Sequence, residues 1–139
     1  MCTISNVIGV DVAKFKIDVA FVDHTATIAN NQTAIEKDLI PKIGPDSIVI
    51  MEATGGYEDL LVSILHQHGI PLAVDQPRRV RCFVESLGQL AKTDAIDARV
   101  IAQFGRTLKP KPQAAKSPEQ KSLEALVTRR KQVVDLISQ

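Results

Sequence analysis

The sequence predicts an α/β fold: a mixed sheet with flanking helices, followed by a C-terminal helix of coiled-coil type. Three observations carry this prediction. Residues 6–30 hold three strand-like segments in succession, separated by only a few residues, which reads as an antiparallel meander. Residues 47–52 and 70–75 are short apolar segments with a helical pattern between them, as in parallel strands joined by a crossover helix. Beyond residue 76 the apolar residues recur at helical spacing.

Each element has a local reason. Asn6-Val7-Ile8-Gly9-Val10-Asp11-Val12 is apolar and β-branched, a buried strand. Residues 16–23 alternate, with Ile17, Val19 and Phe21 on one face, and Ala13-Lys14-Phe15 is the intervening turn. Residues 25–30 make a shorter strand nearer an edge. Asn31 or Gln32-Thr33 can cap a helix whose apolar face is Ile35, Leu39 and Ile40, and the stretch from Pro41 to Pro45 ends it. The run Ile48-Val49-Ile50-Met51 belongs at the buried centre of a sheet. Thr54-Gly55-Gly56 turns the chain into a helix carrying Tyr57, Leu60, Leu61, Ile64 and Leu65, closed by Gly69 and Pro71. Pro77 starts a helix through Leu87, stopped by Gly88. Thr93 reads as the N-cap of a helix over 94–104, with Gly105 as its C-cap. Residues 109–116 form a basic, proline-containing linker. Ser117, Pro118 and Gln120 then make a helix-start signature, and the apolar stripe from Leu123 to Ile137 continues to the last residue without a stop signal. The expectation is one domain over residues 1–108, and over 117–139 the start of a helix that belongs to a longer protein.

The composition bounds the function. A chain of 139 residues, 45% hydrophobic, is too apolar to be disordered and buries roughly two-thirds of its unfolded surface. Cys2 and Cys82 make no disulfide scaffold. No apolar run reaches membrane-spanning length and the N-terminus lacks a signal-peptide pattern, so the expected compartment is the reducing cytoplasm, with no membrane partner. The net charge of +1 conceals an asymmetry: residues 1–98 carry −5 and residues 99–139 carry +6. An acidic body with a basic tail is a pattern of nucleic-acid contact, and equally of a solvated basic helix.

Four carboxylates stand out. Asp11 interrupts a buried strand, where an unpaired charge costs several kcal/mol. Glu52 ends the central apolar run, at the strand tip where open α/β sheets present ligand groups. Asp94 and Asp97, three residues apart at a helix start, share one face. Each has a plain alternative: a turn partner for Asp11, an exposed strand end for Glu52, helix-dipole complementation for Asp94 and Asp97. Together they offer hard oxygen ligands for Mg²⁺ or Mn²⁺, and two such ions about 3.5–4 Å apart suit in-line phosphoryl displacement.

Three blocks sharpen this. Gly9-Val10-Asp11-Val12-Ala13-Lys14, Met51-Glu52-Ala53-Thr54-Gly55-Gly56-Tyr57-Glu58 and Ala91-Lys92-Thr93-Asp94-Ala95-Ile96-Asp97-Ala98 resemble, in order and spacing, the signature blocks of the DEDD transposases that share their domain with the Piv DNA invertases. The resemblance covers about residues 5–108. It implies a RuvC-like, ribonuclease-H-type fold with Asp11, Glu52, Asp94 and Asp97 as the catalytic and metal-binding set. It also implies a recombinase that excises and inserts mobile elements, in some members guided by a structured RNA. Members of that family continue past a coiled coil into a second domain with a nucleophilic serine. No serine here matches that motif, so the chain by itself is expected to be incomplete for recombination.

The nucleic-acid candidates follow. Thr54, Gly55 and Gly56 can form a backbone nest for a phosphate, or an ordinary turn. Lys14 and Lys92 flank the carboxylates. Arg78, Arg79 and Arg81 share a helix, two of them on a solvent-facing side, and Arg106, Lys109 and Lys111 line the linker. The phenylalanines read as core, so base stacking is not the expected main mode of binding. His24, His66 and His68 read as surface or capping residues. The C-terminal stripe predicts either packing on its own domain or a homodimer or higher oligomer. Two rival readings stay open: a non-catalytic nucleic-acid-binding and dimerisation module, and a stand-alone Holliday-junction-type nuclease.

Overall fold

The computed structural model describes residues 4–88, 96–114 and 118–138. Five strands, β1 (Asn6–Val12), β2 (Lys16–Ala20), β3 (Thr25–Ala29), β4 (Ser47–Glu52) and β5 (Leu72–Asp75), form one sheet in the order β3-β2-β1-β4-β5. The meander pairs antiparallel, β1 with β2 and β2 with β3, and β1, β4 and β5 run parallel. This is the mixed sheet expected from the sequence, with β3 at one edge and β5 at the other.

Strand alternation divides the core into two layers. Ile8, Val10, Val12, Ile17, Val19, Val49, Met51 and Leu72 pack on one face beneath Ile35, Leu39, Leu61, Ile64 and Leu65. These come from α1 (Gln32–Ala34), its continuation through a π-helical turn (Ile35–Leu39) and a 3-10 turn (Ile40–Lys42), and α2 (Asp59–Gln67). Asn31 caps α1 by accepting from the Ala34 N–H at 2.8 Å. Pro41 sits inside the 3-10 turn, whose tighter winding accommodates it, rather than breaking the helix ahead of it. The other face carries Ile48, Ile50 and Ala73 under Val80, Ile101 and Phe104 of α3 (Pro77–Leu87) and α4 (Ala98–Leu108).

The start and end of α4 differ from the sequence expectation. The helix begins at Ala98, capped by Asp97, whose Oδ1 accepts from the Val100 N–H at 3.1 Å. Thr93, expected as the cap, lies outside the described residues. Gly105 does not stop the helix. It is buried within it, and a Cβ there would meet Ile50 and Val7 at 2.7 Å. The stop is Lys109 instead, in the left-handed region at φ 47°. The linker is docked as well: the Gln113 N–H donates to the Leu72 carbonyl at 2.8 Å and its side-chain amide to the Val74 carbonyl at 2.9 Å. It thereby covers the open edge of β5. The last helix, α5 (Pro118–Ile137), presents Leu123, Leu126, Val127 and Ile137 largely exposed. Among the described residues no helix is long and apolar enough to cross a membrane.

At Gly9, α4 lies close against β1. A Cβ on Gly9 would lie 2.1 Å from the Ala98 carbonyl oxygen and 2.4 Å from the Ala102 nitrogen. Gly9→Val therefore has to push the helix backbone away and should cost about 3 kcal/mol or more in urea denaturation. Gly44→Ala, whose Cβ meets only Ser47 Oγ at 3.7 Å, should stay within about 0.5 kcal/mol of the parent.

Candidate functional site

The sheet register assembles an acidic row. Asp11 pairs with Asp18 across β1 and β2, and Glu52 pairs with Asp75 across β4 and β5. Asp11 and Glu52 each lie one residue beyond the last β1–β4 partners, Val10 and Met51. Asp11 shares a face with Gly9, and Glu52 with Ile48 and Ile50, so both belong to the face covered by α3 and α4.

The outer members of the row are satisfied. Asp18 accepts from the Thr27 hydroxyl at 2.7 Å. Asp75 accepts from the Gln76 N–H at 2.9 Å and pairs with Arg79 at 3.1 Å. The inner two are not. Neither the Asp11 nor the Glu52 side chain accepts a hydrogen bond among the described residues, and Glu52 Oε1 is buried without a partner. Burial pushes the Asp11 carboxyl up, the charges of Asp18 and Asp97 push it further, and Lys16 opposes them. Burial likewise raises Glu52, Asp11 adds to that rise, and Arg81 opposes it.

Asp97 thus belongs to the same electrostatic group, brought beside Asp11 by the approach of α4 over Gly9. It is the helix cap as well, through Oδ1, a role the sequence assigned to Thr93 while offering dipole complementation as the alternative for Asp97. Asp94 and Lys92 lie outside the described residues. Among the described residues no three carboxylate, histidine or cysteine side chains already surround one point. The donors present are nonetheless of the kind a hard divalent cation takes: carboxylate oxygens, mutually repelling, one of them buried and unpartnered.

The loops beside these carboxylates are built differently from expectation. Gly55 and Gly56 adopt positive φ (83° and 125°), which turns the chain sharply after Glu52. The N–H groups of Thr54 and Gly56 point at Glu58 Oε2, at 3.1 and 3.3 Å, and the Thr54 hydroxyl donates to the same oxygen. Of the two readings of this stretch, phosphate nest or ordinary turn, these donors build the turn, with the chain's own carboxylate as acceptor. Glu58 is only 8% exposed. Burial alone would raise its carboxyl, but these hydrogen bonds outweigh burial and hold it below the ordinary range. Asn30 ties the two site loops together, donating to the carbonyls of Ala13 (2.9 Å) and Tyr57 (3.1 Å).

The basic candidates do not form one patch. Lys14 is exposed on the β1–β2 turn, with its ammonium 5.2 Å from the Phe15 ring centroid. Phe15 itself is 78% exposed, not core, because the turn projects it beyond the sheet. Arg79, Lys109 and Lys111 line a cleft of about 640 Å³ between β5 and the docked linker, together with Gln76 and Gln113. Arg106 lines a different cleft, of about 390 Å³, with Arg99 and the β2–β3 turn. Arg78 is exposed. Arg81 is half-buried on the Glu52 side rather than facing solvent. Glu58, Asn30, Asp18 and Asp75 were not singled out from the sequence. Glu58 at least carried a signal, since it closes the second signature block.

A transposase family model, that of the IS110-type DEDD group, matches residues 8–139. The chain belongs to this transposase family. It is 31% identical over 132 residues to the pilin gene-inverting protein of Moraxella lacunata and 29% identical over 132 residues to that of Moraxella bovis. Each alignment takes in 88% of this chain and 41% of the relative, so the transposase-family chain described here spans well under half the length of these relatives. The fold is similar to that of RuvC from Thermus thermophilus, with a TM-score of 0.53 at 15% identity, over 78% of this chain and 100% of the other. The sheet is RuvC-like, as the sequence blocks implied.

Glu58→Gln should destabilise the chain by about 1–3 kcal/mol at neutral pH, because two backbone N–H groups lose a charged acceptor. The folded Glu58 carboxyl lies below its unfolded value. Its contribution is therefore complete above the unfolded value and disappears as the pH falls through the lower folded one. Chemical denaturation of parent and variant across that acid range should show the difference shrinking with acidification.

Proposed function

We propose that this chain is the metal-dependent phosphoryl-transfer domain of a DNA recombinase. Asp11, Glu52, Asp94 and Asp97 would hold one or two Mg²⁺ or Mn²⁺ ions. The observation that carries this reading is the contrast within the acidic row: the outer carboxylates are satisfied internally, and the inner pair at the strand tips is left crowded and unpartnered. A fold retains such a pair at a cost to stability when a ligand repays it. Divalent ions bound there supply charge stabilisation to the attacking and leaving oxygens of a phosphodiester.

The rest of the work falls to the protein. The approach of α4 holds Asp97 beside Asp11. Glu58 and Asn30 fix the loops that follow Asp11 and Glu52. Lys109, Lys111 and Arg79 offer a cationic cleft that draws the DNA backbone toward the strand tips. The substrate we propose is DNA, in keeping with the gene-inverting name of the relatives. A structured RNA is a second ligand to test in the same titrations. The exposed stripe of α5 is the proposed pairing surface between copies.

Two measurements test this reading. Mn²⁺ should stabilise the chain, by about 2.7 kcal/mol at a hundredfold excess over its Kd, and Asp11→Asn should abolish that gain. The same variant should be more stable than the parent without metal at neutral pH. The raised Asp11 carboxyl ionises in the folded state only against repulsion, so the parent loses stability as pH rises through that range and the variant does not. Absence of any Mn²⁺ effect, with DNA binding intact, would leave a binding module without chemistry.

The second concerns the cleft. Replacing Lys109 and Lys111 together by Ala should reduce the slope of log K against log salt for DNA by about 2, weakening all sequences alike. An unchanged slope would remove this cleft from the interface.

A further inference from the structure

Arg81 is placed unlike the other arginines of α3. Arg78 is exposed, and Arg79 is paired with Asp75 and lies over the Phe104 ring, its guanidinium carbon 5.8 Å from the centroid. Arg81 is half-buried, and its Nη1 is shut off from water with no acceptor among the described residues. Its charge acts on Glu52, whose Oε1 is likewise buried and unpartnered. The two do not close into an ion pair, since among the described residues only Arg79–Asp75 and His24–Asp23 approach within 4.0 Å. An orphaned donor on a permanently charged fork and an orphaned acceptor thus flank one strand tip without satisfying each other.

This arrangement has a cost on both sides. A buried unpaired guanidinium nitrogen and a buried unpaired carboxylate oxygen each forgo a charge-assisted hydrogen bond. A direct pair would relieve both at once. They stay unjoined, and a group that is an acceptor toward Arg81 and shares a cation with Glu52 would satisfy both. A phosphodiester has that chemistry: one non-bridging oxygen for the guanidinium, another toward a metal. Arginine is the side chain suited to it, because its planar fork matches two phosphate oxygens and its charge does not titrate away.

We propose that Arg81 binds the phosphate at the carboxylate centre, receiving a non-bridging oxygen of the DNA backbone group held beside Glu52. The inference deepens the metal-centre reading and rests on it. Arg81 is then part of the reaction site itself, distinct from the cleft lined by Arg79, Lys109 and Lys111.

The test compares the parent with Arg81→Gln and Arg81→Lys by two readouts: Mn²⁺ affinity from the loss of the free-ion EPR signal, and affinity for a fluorescein-labelled DNA duplex with and without Mn²⁺. The parent should bind Mn²⁺ and bind DNA more tightly in its presence. Arg81→Gln should bind Mn²⁺ as tightly or several-fold more tightly, because a like charge has gone. The Mn²⁺-dependent gain in DNA affinity should fall by about tenfold. Arg81→Lys, with charge but no fork, should fall between the two. Thermal melting should leave both variants folded, since neither removes a satisfied contact.

Weaker Mn²⁺ binding by Arg81→Gln would overturn the proposal in favour of a residue that positions Glu52. An unchanged Mn²⁺-dependent gain in DNA affinity would overturn it outright. Failure of the metal reading shows separately, in the parent's own Mn²⁺ titration, and a parent that takes up no Mn²⁺ removes both.

Discussion

The contact on which the rest of this structure depends is the seating of α4 directly on the backbone of β1. Gly9 has no side chain, and Ala20, Ala98 and Ala102 form a small-residue cluster around it. Helix and sheet therefore meet closer than larger side chains allow. That closeness has a consequence at the far end of the same strand. A helix held this near to Gly9 delivers its N-cap, Asp97, to the neighbourhood of Asp11, two residues further along β1. Gly105 serves the same end from the other side, letting α4 lie flat on Val7 and Ile50. The placement of these carboxylates is thus set by residues that carry no charge.

The acidic row shows how the fold concentrates cost. Asp18 and Asp11 stand opposite each other on neighbouring strands, a placement that like charges disfavour. Thr27 relieves the first and nothing internal relieves the second. Asp75 has Arg79 and the Gln76 N–H, while Glu52 beside it has neither. Were the row only structural, its central members would be partnered as the outer ones are. The distribution runs the other way. The same strand-tip region holds Glu58, a still more buried carboxylate supplied with three donors, so this sequence is able to satisfy an acid where it needs to.

Much of this was legible in the sequence. The antiparallel meander and the parallel crossovers follow from apolar runs separated by helical periodicity, and Asp11 and Glu52 announce themselves as charges in apolar strands. What was not legible depended on distance. Gly105 looks like a helix stop in one dimension, and only its packing on Ile50 explains why it lies inside α4. Thr54-Gly55-Gly56 looks like an open nest because the acceptor that fills it, Glu58, comes from the next turn. Phe15 looks like core by composition, yet the tight β1–β2 turn leaves it 78% exposed, beside Lys14. Arg78, Arg79 and Arg81 are alike on a helical wheel of charges and differ only in what lies opposite: solvent, Asp75 and Phe104, or Glu52.

The charge asymmetry gains a physical meaning from the docked linker. A basic segment on a loose tether would raise the local concentration of cations without directing them. Gln113 removes that freedom through its two hydrogen bonds to β5, and His66 contacts its carbonyl at 3.3 Å. Lys109 is held at its turn in a conformation that glycine would adopt more cheaply, which keeps a long cationic side chain on the wall of the cleft. The cations are therefore fixed on the sheet edge next to Asp75, the outermost member of the acidic row. On the reading proposed above, a DNA backbone drawn to that edge would meet these cations and Arg79 before the unsatisfied carboxylates. A divalent cation held by Asp11 and Glu52 would reconcile attraction at the rim with repulsion at the centre. The same acids that would otherwise repel a DNA backbone would then help to hold it.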